Sequence, residues 1–231
     1  GLFKDEDDVK YSPSQAALGS GQKPGDIKYK DVNGDGKIDA TDKVPLSNNT
    51  YPSLMYGFGA EFRYKNITLG LLFKGTGKTD FYYVGQDGNG MGYVPFFDGR
   101  SGNVLTIANN PSNRWIPMEY AIENGIDPQL AENPNARFPR LQYGKNANNS
   151  VLSDFWKGDA RYLRLQELTV NYNWKSDMLR KIGVASVDIQ LVGNNIFVLD
   201  KVKLFDPEQA NKNGRVYPIP SVYSIQLYIN L

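Results

Sequence analysis

The sequence predicts an all-β chain that crosses a membrane as strands, and three observations carry that reading. The first is strict alternation over residues 221–231, with Tyr223, Ile225, Leu227, Ile229 and Leu231 set against Ser224, Gln226, Tyr228 and Asn230. A period of two makes one wall apolar and the other mostly polar, and a run of this kind reaching the last residue is expected where a transmembrane barrel closes its final seam. The second is that no stretch approaches the roughly 18 to 20 apolar residues of a membrane helix, so a bilayer-crossing chain of this sequence must use strands. The third is the loss of periodicity between Gly75 and Asp159. Loops beyond about 12 to 15 residues are uncommon inside compact soluble domains, whereas a long extracellular loop is ordinary in a barrel. The mean hydropathy of −0.49 does not oppose this, because alternation dilutes any average.

The elements follow in order. Residues 1–24 carry Ser, Gly, Gln and Pro around Gln15 to Leu18 and read as an irregular loop. Pro24 to Lys30 is a short extended run that enters an Asp-rich turn. From Met55, Tyr56, Phe58, Ala60, Phe62 and Tyr64 alternate with Gly57, Gly59, Glu61 and Arg63; after Lys65-Asn66, Ile67, Leu69, Leu71 and Phe73 alternate with Thr68, Gly70 and Lys74. This predicts an antiparallel hairpin with a tight turn. The long loop, at about 75–159, mixes Gly, Asn and Pro with aromatics that read as exposed, among them Tyr82, Tyr83, Phe96, Phe97, Trp115 and Trp156. Strand character returns over Arg161 to Trp174, where Leu168, Val170, Tyr172 and Trp174 face away from Thr169, Asn171 and Asn173. A turn at 176–183 leads to a strand over Val184 to Asn194, and a loop over Phe197 to Pro220 precedes the terminal strand. Five long strands cannot close a lipid-facing barrel, for which about eight is the lower limit. The chain, which starts at Gly1 without a methionine or a signal-like segment, is therefore expected to be a piece of something longer.

Charge and composition remove several function classes. With 26 Lys and Arg against 25 Asp and Glu the net charge is +1, and the basic residues are scattered rather than gathered into the positive face that phosphate binding needs, so nucleic acid is not an expected partner. Zero Cys and zero His exclude disulfides, thiolate nucleophiles, imidazole bases and zinc sites of the usual ligand types. Catalysis would rest on carboxylates, Lys or Tyr, and pairs such as Asp98 with Glu119 or Glu123 with Asp127 read as solvated loop acids.

The sharpest local motif spans residues 31–42. Asp31, Asn33, Asp35, Asp39 and Asp42 occupy loop positions 1, 3, 5, 9 and 12, Gly36 position 6 and Ile38 position 8, with the carbonyl of Lys37 available at position 7. That is the oxygen spacing of an EF-hand-type loop, so a structural Ca²⁺ held by Asp31, Asn33, Asp35, Lys37, Asp39 and Asp42 is expected. Position 12 is Asp rather than the longer Glu, and the flanks are not amphipathic helices, so the ion would pin a loop outside a helix–loop–helix. A metal-free turn rich in Asp-Gly is the alternative. Gly77-Lys78-Thr79 imitates the end of a phosphate-binding loop, but Leu72 stands where the first Gly is required.

Several short motifs in a fixed order resemble one family. They are Pro24-Gly25-Asp26-Ile27-Lys28-Tyr29, the Asp31 to Gly36 run, Tyr56-Gly57-Phe58, Arg114-Trp115, Asn133 to Leu141, Ser153-Asp154-Phe155-Trp156, Arg161 to Leu165, Gly193-Asn194-Asn195, Asp206-Pro207-Glu208 and Tyr217-Pro218-Ile219-Pro220. Together they resemble the C-terminal part of the SusC/RagA family of TonB-dependent outer-membrane transporters. The resemblance implies the last strands and extracellular loops of a 22-stranded antiparallel transmembrane barrel in the outer membrane of a Gram-negative bacterium, with no enzymatic reaction. It implies as partners the remainder of the barrel and its plug, a SusD-like surface lipoprotein, TonB reached through an N-terminal part outside this sequence, the lipid bilayer, and an oligosaccharide or peptide substrate. Two features depart from the pattern: the last residue is Leu231 rather than an aromatic, and nothing resembles a plug. Flat rings stack on sugars while polar groups bond hydroxyls or a peptide backbone, so Tyr83, Phe96, Phe97, Asp98, Arg100 and Trp115 are the candidate substrate contacts. The rival reading is a secreted soluble β-sandwich, such as a carbohydrate-binding module with a structural calcium loop, whose apolar strand faces would point into a core.

Overall fold

The alternating runs fold into one antiparallel meander. In the computed structural model, which describes residues 1–19, 21–46, 51–83, 104–142, 146–212 and 217–231, β1 spans Leu54–Tyr64, β2 Ile67–Gly77, β3 Asp80–Tyr82, β4 Lys157–Asp159, β5 Tyr162–Trp174, β6 Ser186–Asp200 and β7 Val222–Asn230. The strand order β1-β2-β5-β6-β7 makes a five-stranded sheet, and β3 pairs with β4 in a separate two-stranded ladder. All five long strands expected from the sequence are present. The β1–β2 turn is the two-residue Lys65-Asn66, with Lys65 at φ 53°, the positive φ that tight hairpins need. β6 runs on past the expected Asn194 because an irregularity carries it over: the β5–β6 pairing jumps from Glu167↔Asn194 to Leu165↔Phe197. At the same level the β2–β5 register shifts between Leu72 and Phe73. The shift places Leu163 and Leu165 on the same face as Leu168, Val170 and Tyr172, which simple alternation does not reveal.

The chain divides into two compact units, one of residues 1–47 with 82–157 and the other of residues 48–81 with 158–231. The second holds the five-stranded sheet and the short helix α4, Asp177–Lys181, whose N-cap Ser176 accepts from the amide of Leu179. In the sheet, the short turns at 65–66 and 175–185 leave one end, and the connections of 78–161 and 201–221 leave the other.

The first unit corrects the expectation that residues 1–24 and 75–159 lack structure. It contains helix α1 over Glu6–Tyr11, α2 over Thr106–Asn109 and α3 over Met118–Glu123, besides several single 3-10 turns. Asp5 caps α1 by accepting from the amide of Asp8. Phe3, Ile27, Ile116, Phe138 and Trp156 form a buried interior. Isolated bridges pair Leu2 with Ile27 and Arg114 with Phe138. None of this is periodic in sequence, because the unit is held by side chains rather than by ladders. Its centre is Asp26, fully buried, whose carboxylate accepts from the side-chain amides of Asn146 and Asn149, each at 2.9 Å, and from the amide of Lys23 at 3.0 Å. Arg140 closes the set with Nε 2.8 Å from Asp26 Oδ1, a contact outside hydrogen-bond alignment, and with an Nη2 bond of 3.2 Å. Gln15, Asn148 and Asn149 bond the backbone of Ile27 and Tyr29 on either side. The network spans more than a hundred residues of sequence, and Asp26, Gln15, Asn146, Asn148 and Asn149 are all hydrogen-bonded in it, as burial requires, while Arg140 Nε makes only the ionic contact. Gly25 sits at φ 81°, and a Cβ there would fall inside the Trp115 indole, so this position admits only Gly.

Candidate functional site

The most distinctive surface of the molecule is the five-stranded sheet, whose two faces differ: one is apolar throughout, and the other mixes polar and charged side chains with a few apolar ones, Leu72, Val192, Val198 and Val222. Following the register across all five strands, one face carries Tyr56, Phe58, Ala60, Phe62 and Tyr64; Ile67, Leu69, Leu71 and Phe73; Leu163, Leu165, Leu168, Val170, Tyr172 and Trp174; Val187, Ile189, Leu191, Phe197 and Leu199; and Tyr223, Ile225, Leu227 and Ile229. At the paired positions this face holds no charged and no amide side chain. A soluble protein buries such a face, yet Phe62, Ile225 and Leu227 are 59, 73 and 65 % exposed. Contiguous exposed apolar surface on this scale is not a property of soluble monomers. Rings fringe it: Tyr64, Tyr172 and Trp174 lie toward the short-turn end, and Tyr56 and Phe197 toward the other. From Tyr56 to Tyr64 the strand advances roughly 26 Å, or about 20 Å after a tilt near 40°, comparable to the apolar band of an outer-membrane barrel.

The opposite face carries Glu61 and Arg63, Thr68 and Lys74, Arg164, Thr169, Asn171 and Asn173, Ser186, Asp188 and Gln190, and Ser224, Gln226 and Asn230. Its polar groups bond across strands: Asp188 accepts from Asn173 at 2.7 Å and from Asn230 at 2.9 Å, and Asn230 also donates to Ser186. Glu61, Arg63, Thr169, Asp188, Gln190 and Tyr228 line a shallow polar depression of about 330 Å³. Among the described residues the outer edges of β1 and β7 have no partner strand. Among the described residues no helix is long and apolar enough to cross a membrane.

The Asp-rich loop is folded around its own backbone. Asp31 accepts from the amides of Gly34 at 2.6 Å and Gly36 at 2.8 Å, Asn33 from Asp35, Asp35 from Lys37, and Asp42 from Val32. Asp39 and Asp42 form a reciprocal capping box over the 3-10 turn Ala40–Asp42. The amide and hydroxyl of Thr41 hold Asp39 below the ordinary carboxylate range, and the amides of Asp39 and Val32 do the same for Asp42. The donor chemistry suits a hard cation, since each carboxylate retains lone pairs after accepting these bonds. Among the described residues, however, no three carboxylates converge as a preformed metal cluster.

Of the expected substrate contacts, Tyr83 and Trp115 are not surface rings. Tyr83 is 8 % exposed and its hydroxyl accepts from Arg137 at 2.8 Å, with the guanidinium 5.7 Å from the ring. Trp115 is 5 % exposed, its amide donates to Phe138, and its ring fills the space left by Gly25. Apolar area is worth more buried than in water, and each ring has a packing partner that claims it. Trp115 does border a groove of about 480 Å³ that Lys4, Lys23, Met118 and Glu119 also line. Phe96, Phe97, Asp98 and Arg100 lie outside the described residues. Sequence reasoning missed the buried Asp26 network and an ion cluster around Arg164; the only signal for either was the presence of Asp26 and Asp206 in short ordered motifs.

No family model matches this chain. It is 27 % identical over 216 residues to TonB-dependent receptor P26 of Formosa agariphila, covering 93 % of this chain and 19 % of that protein. To TonB-dependent receptor P3 of the same organism it is 23 % identical over 203 residues, covering 88 % of this chain and 17 % of that one. In fold it resembles a chain in the structure of the RagAB peptide transporter, with a TM-score of 0.58, 18 % identity, and coverage of 89 % of this chain and 20 % of that chain. The chain thus spans about a fifth of the length of the proteins it matches, all of them receptors or transporters rather than enzymes. Its alternating strands, two-faced sheet and relatives agree: over most of its length the chain is similar in sequence to TonB-dependent receptors and in fold to a chain of the RagAB transporter.

Proposed function

We propose that this chain forms part of the barrel wall and extracellular loops of an outer-membrane transporter of a Gram-negative bacterium. In this reading it imports oligosaccharides or peptides together with a SusD-like surface lipoprotein, and TonB supplies the energy through a portion outside this sequence. The observation that carries the reading is the apolar face, continuous over five strands and exposed, set back to back with a polar face. Lipid covers the first and the lumen the second. The soluble sandwich alternative needs a second sheet packed on the apolar face, and the exposure of Ile225 and Leu227 speaks against one. The peptide carried by RagAB supports a peptide substrate only by analogy of fold. The test compares uptake of labelled oligopeptides and labelled oligosaccharides by cells with and without the full-length receptor, before and after collapse of the inner-membrane proton gradient. Energy-dependent uptake of one class supports the proposal; equal uptake with and without the receptor overturns it.

Calcium belongs to the same proposal. Asp31, Asn33, Asp35, Asp39 and Asp42 with the Lys37 carbonyl would hold the ion, drawing the carboxylates together and pinning the loop. Titration of the full-length receptor with CaCl₂ should show one saturable site lost in Asp31→Ala; no heat of binding and no chelator-sensitive protease protection of the loop would overturn it.

A further inference from the structure

We propose that Arg164, assisted by Lys74, positions the β6–β7 connection on the inner wall of the sheet, so that the root of this connection is a fixed part of the channel mouth. The inference rests on the transport reading for its functional meaning and on the sheet alone for its geometry. Lys74 and Arg164 are register partners on β2 and β5, on the polar face. Asp206 and Glu208, just beyond the end of β6, come back to meet them. Arg164 Nη2 donates to both oxygens of Asp206 at 2.6 Å each. Its Nε lies 2.9 Å from Glu208 Oε1, an ionic contact outside hydrogen-bond alignment, and Lys74 Nζ bonds Glu208 at 3.0 Å. The Arg164 side chain is 3 % exposed, and the Tyr162 ring lies 5.8 Å from its guanidinium.

Because these partners are on the polar face, the connection folds toward the lumen and not over the lipid-facing side. Other contacts agree. Val202 is fully buried, Phe205 sets its ring edge-on to Phe81 at 5.5 Å, and Gln209 bonds the carbonyl of Tyr217, which ties the outgoing limb to the returning one. Asp206 also accepts from the amide of Glu208, so the carboxylates are placed before they meet the cations. Two cations face two carboxylates, which leaves no uncompensated charge in a set whose Arg164 and Asp206 are buried and whose Lys74 and Glu208 reach partly into solvent. Exposed ion pairs hold little, whereas removal of one member of a buried set strands the others. Arg164 is the member whose loss strands most, since it alone touches both acids.

The test uses the full-length receptor in its outer membrane, with a nitroxide on Lys203→Cys in an otherwise cysteine-free background, in the parent, Arg164→Met, Arg164→Lys and Glu208→Gln. Expected in Arg164→Met are a mobile nitroxide spectrum and about tenfold or greater acceleration of protease cleavage within 201–221, with unchanged heat-modifiable migration of the barrel. Arg164→Lys should restore order in part, because a single ammonium replaces a guanidinium that addresses Asp206 through Nη2 and Glu208 through Nε. The half-saturation concentration for uptake should rise in step with loop mobility while the maximal rate holds. If Arg164→Met does not assemble, Glu208→Gln decides the matter, since it removes one charge at constant size. An intact barrel with the parent's nitroxide spectrum and cleavage rate in both variants would overturn the proposal. A parent receptor that takes up nothing would instead defeat the transport reading, and the loop measurements would still decide the clamp.

Discussion

Replacing Leu168 by Arg puts a charge at the centre of the apolar face. Leu168 pairs with Leu71 on one side and Gly193 on the other, and the nearest polar-tipped ring on its own strand is Tyr172, four residues or about 13 Å away. That exceeds the reach of an Arg side chain, about 7 Å, so the guanidinium cannot snorkel to the interface. A cation at the bilayer midplane of a barrel costs about 2 to 4 kcal/mol, equivalent to about 30- to 700-fold in the folding equilibrium. One residue along, Thr169 points to the polar face, beside Asn171 and Gln190, and Thr169→Arg should cost about 1 kcal/mol or less. The assay is reversible urea unfolding of the full-length receptor in phospholipid vesicles, with the two variants measured in parallel. Equal costs for Leu168→Arg and Thr169→Arg, or the larger cost at 169, would refute the assignment of faces, because a one-residue slip reverses every side chain.

Other consequences follow from the first unit and its borders. Asp26→Ala strands the Arg140 guanidinium and two Asn amides in the interior and should destabilise the unit by about 3 to 5 kcal/mol, read as a large rise in protease sensitivity of residues 1–47 at unchanged barrel migration; parental resistance would show that the network is dispensable. Gly25→Ala meets both a positive φ and the Trp115 ring and should quench or shift the Trp115 emission as the indole is displaced, while Gly125→Ala, at φ 62° with open space around it, should leave that emission unchanged. Asp159 is held well below the ordinary carboxylate range, chiefly by its hydrogen bonds from the Arg161 side chain. A lowered folded-state value means that this contribution is complete above about pH 4 and fades as pH falls further toward the folded value. Asp159→Asn should therefore flatten the acid limb of stability below about pH 4 and leave the pH 7 to 8 region with the same slope; an unchanged acid limb would contradict the pairing.

The sheet was legible because its chemistry is written in single-residue steps. Tyr56 to Tyr64, Ile67 to Phe73, Leu168 to Trp174, Val187 to Leu191 and Tyr223 to Ile229 alternate with polar or small residues, and a sheet with one apolar face imposes that period on every strand. The extension of β6 to Asp200 was not legible, because the irregular pairing near Gln166 and Asn195 interrupts the count where the pattern would have continued. The first unit escaped for a different reason. Its order comes from Asp26 meeting Asn146 and Asn149, and from Gln15 meeting Asn148, contacts between distant loops that leave no periodic trace. The same ignorance of partners made Tyr83 and Trp115 read as exposed platforms: an aromatic in an aperiodic stretch looks alike whether Arg137 and Gly25 cover it or a ligand does. Arg164 shows the limit most clearly, since a basic residue on a strand gave no sign that Asp206, 42 positions later, returns to bind it.

The most direct measurement is a nitroxide scan of β7 from Tyr223 to Ile229 in the full-length receptor in its membrane, reading collision rates with oxygen and with a water-soluble nickel chelate at each position. Positions 223, 225, 227 and 229 should show high oxygen and low nickel accessibility, with 224, 226 and 228 the reverse, a period of two in opposite phase for the two reagents. Accessibility without that period, or nickel reaching 225 and 227 as readily as 224 and 226, would contradict a lipid-facing wall.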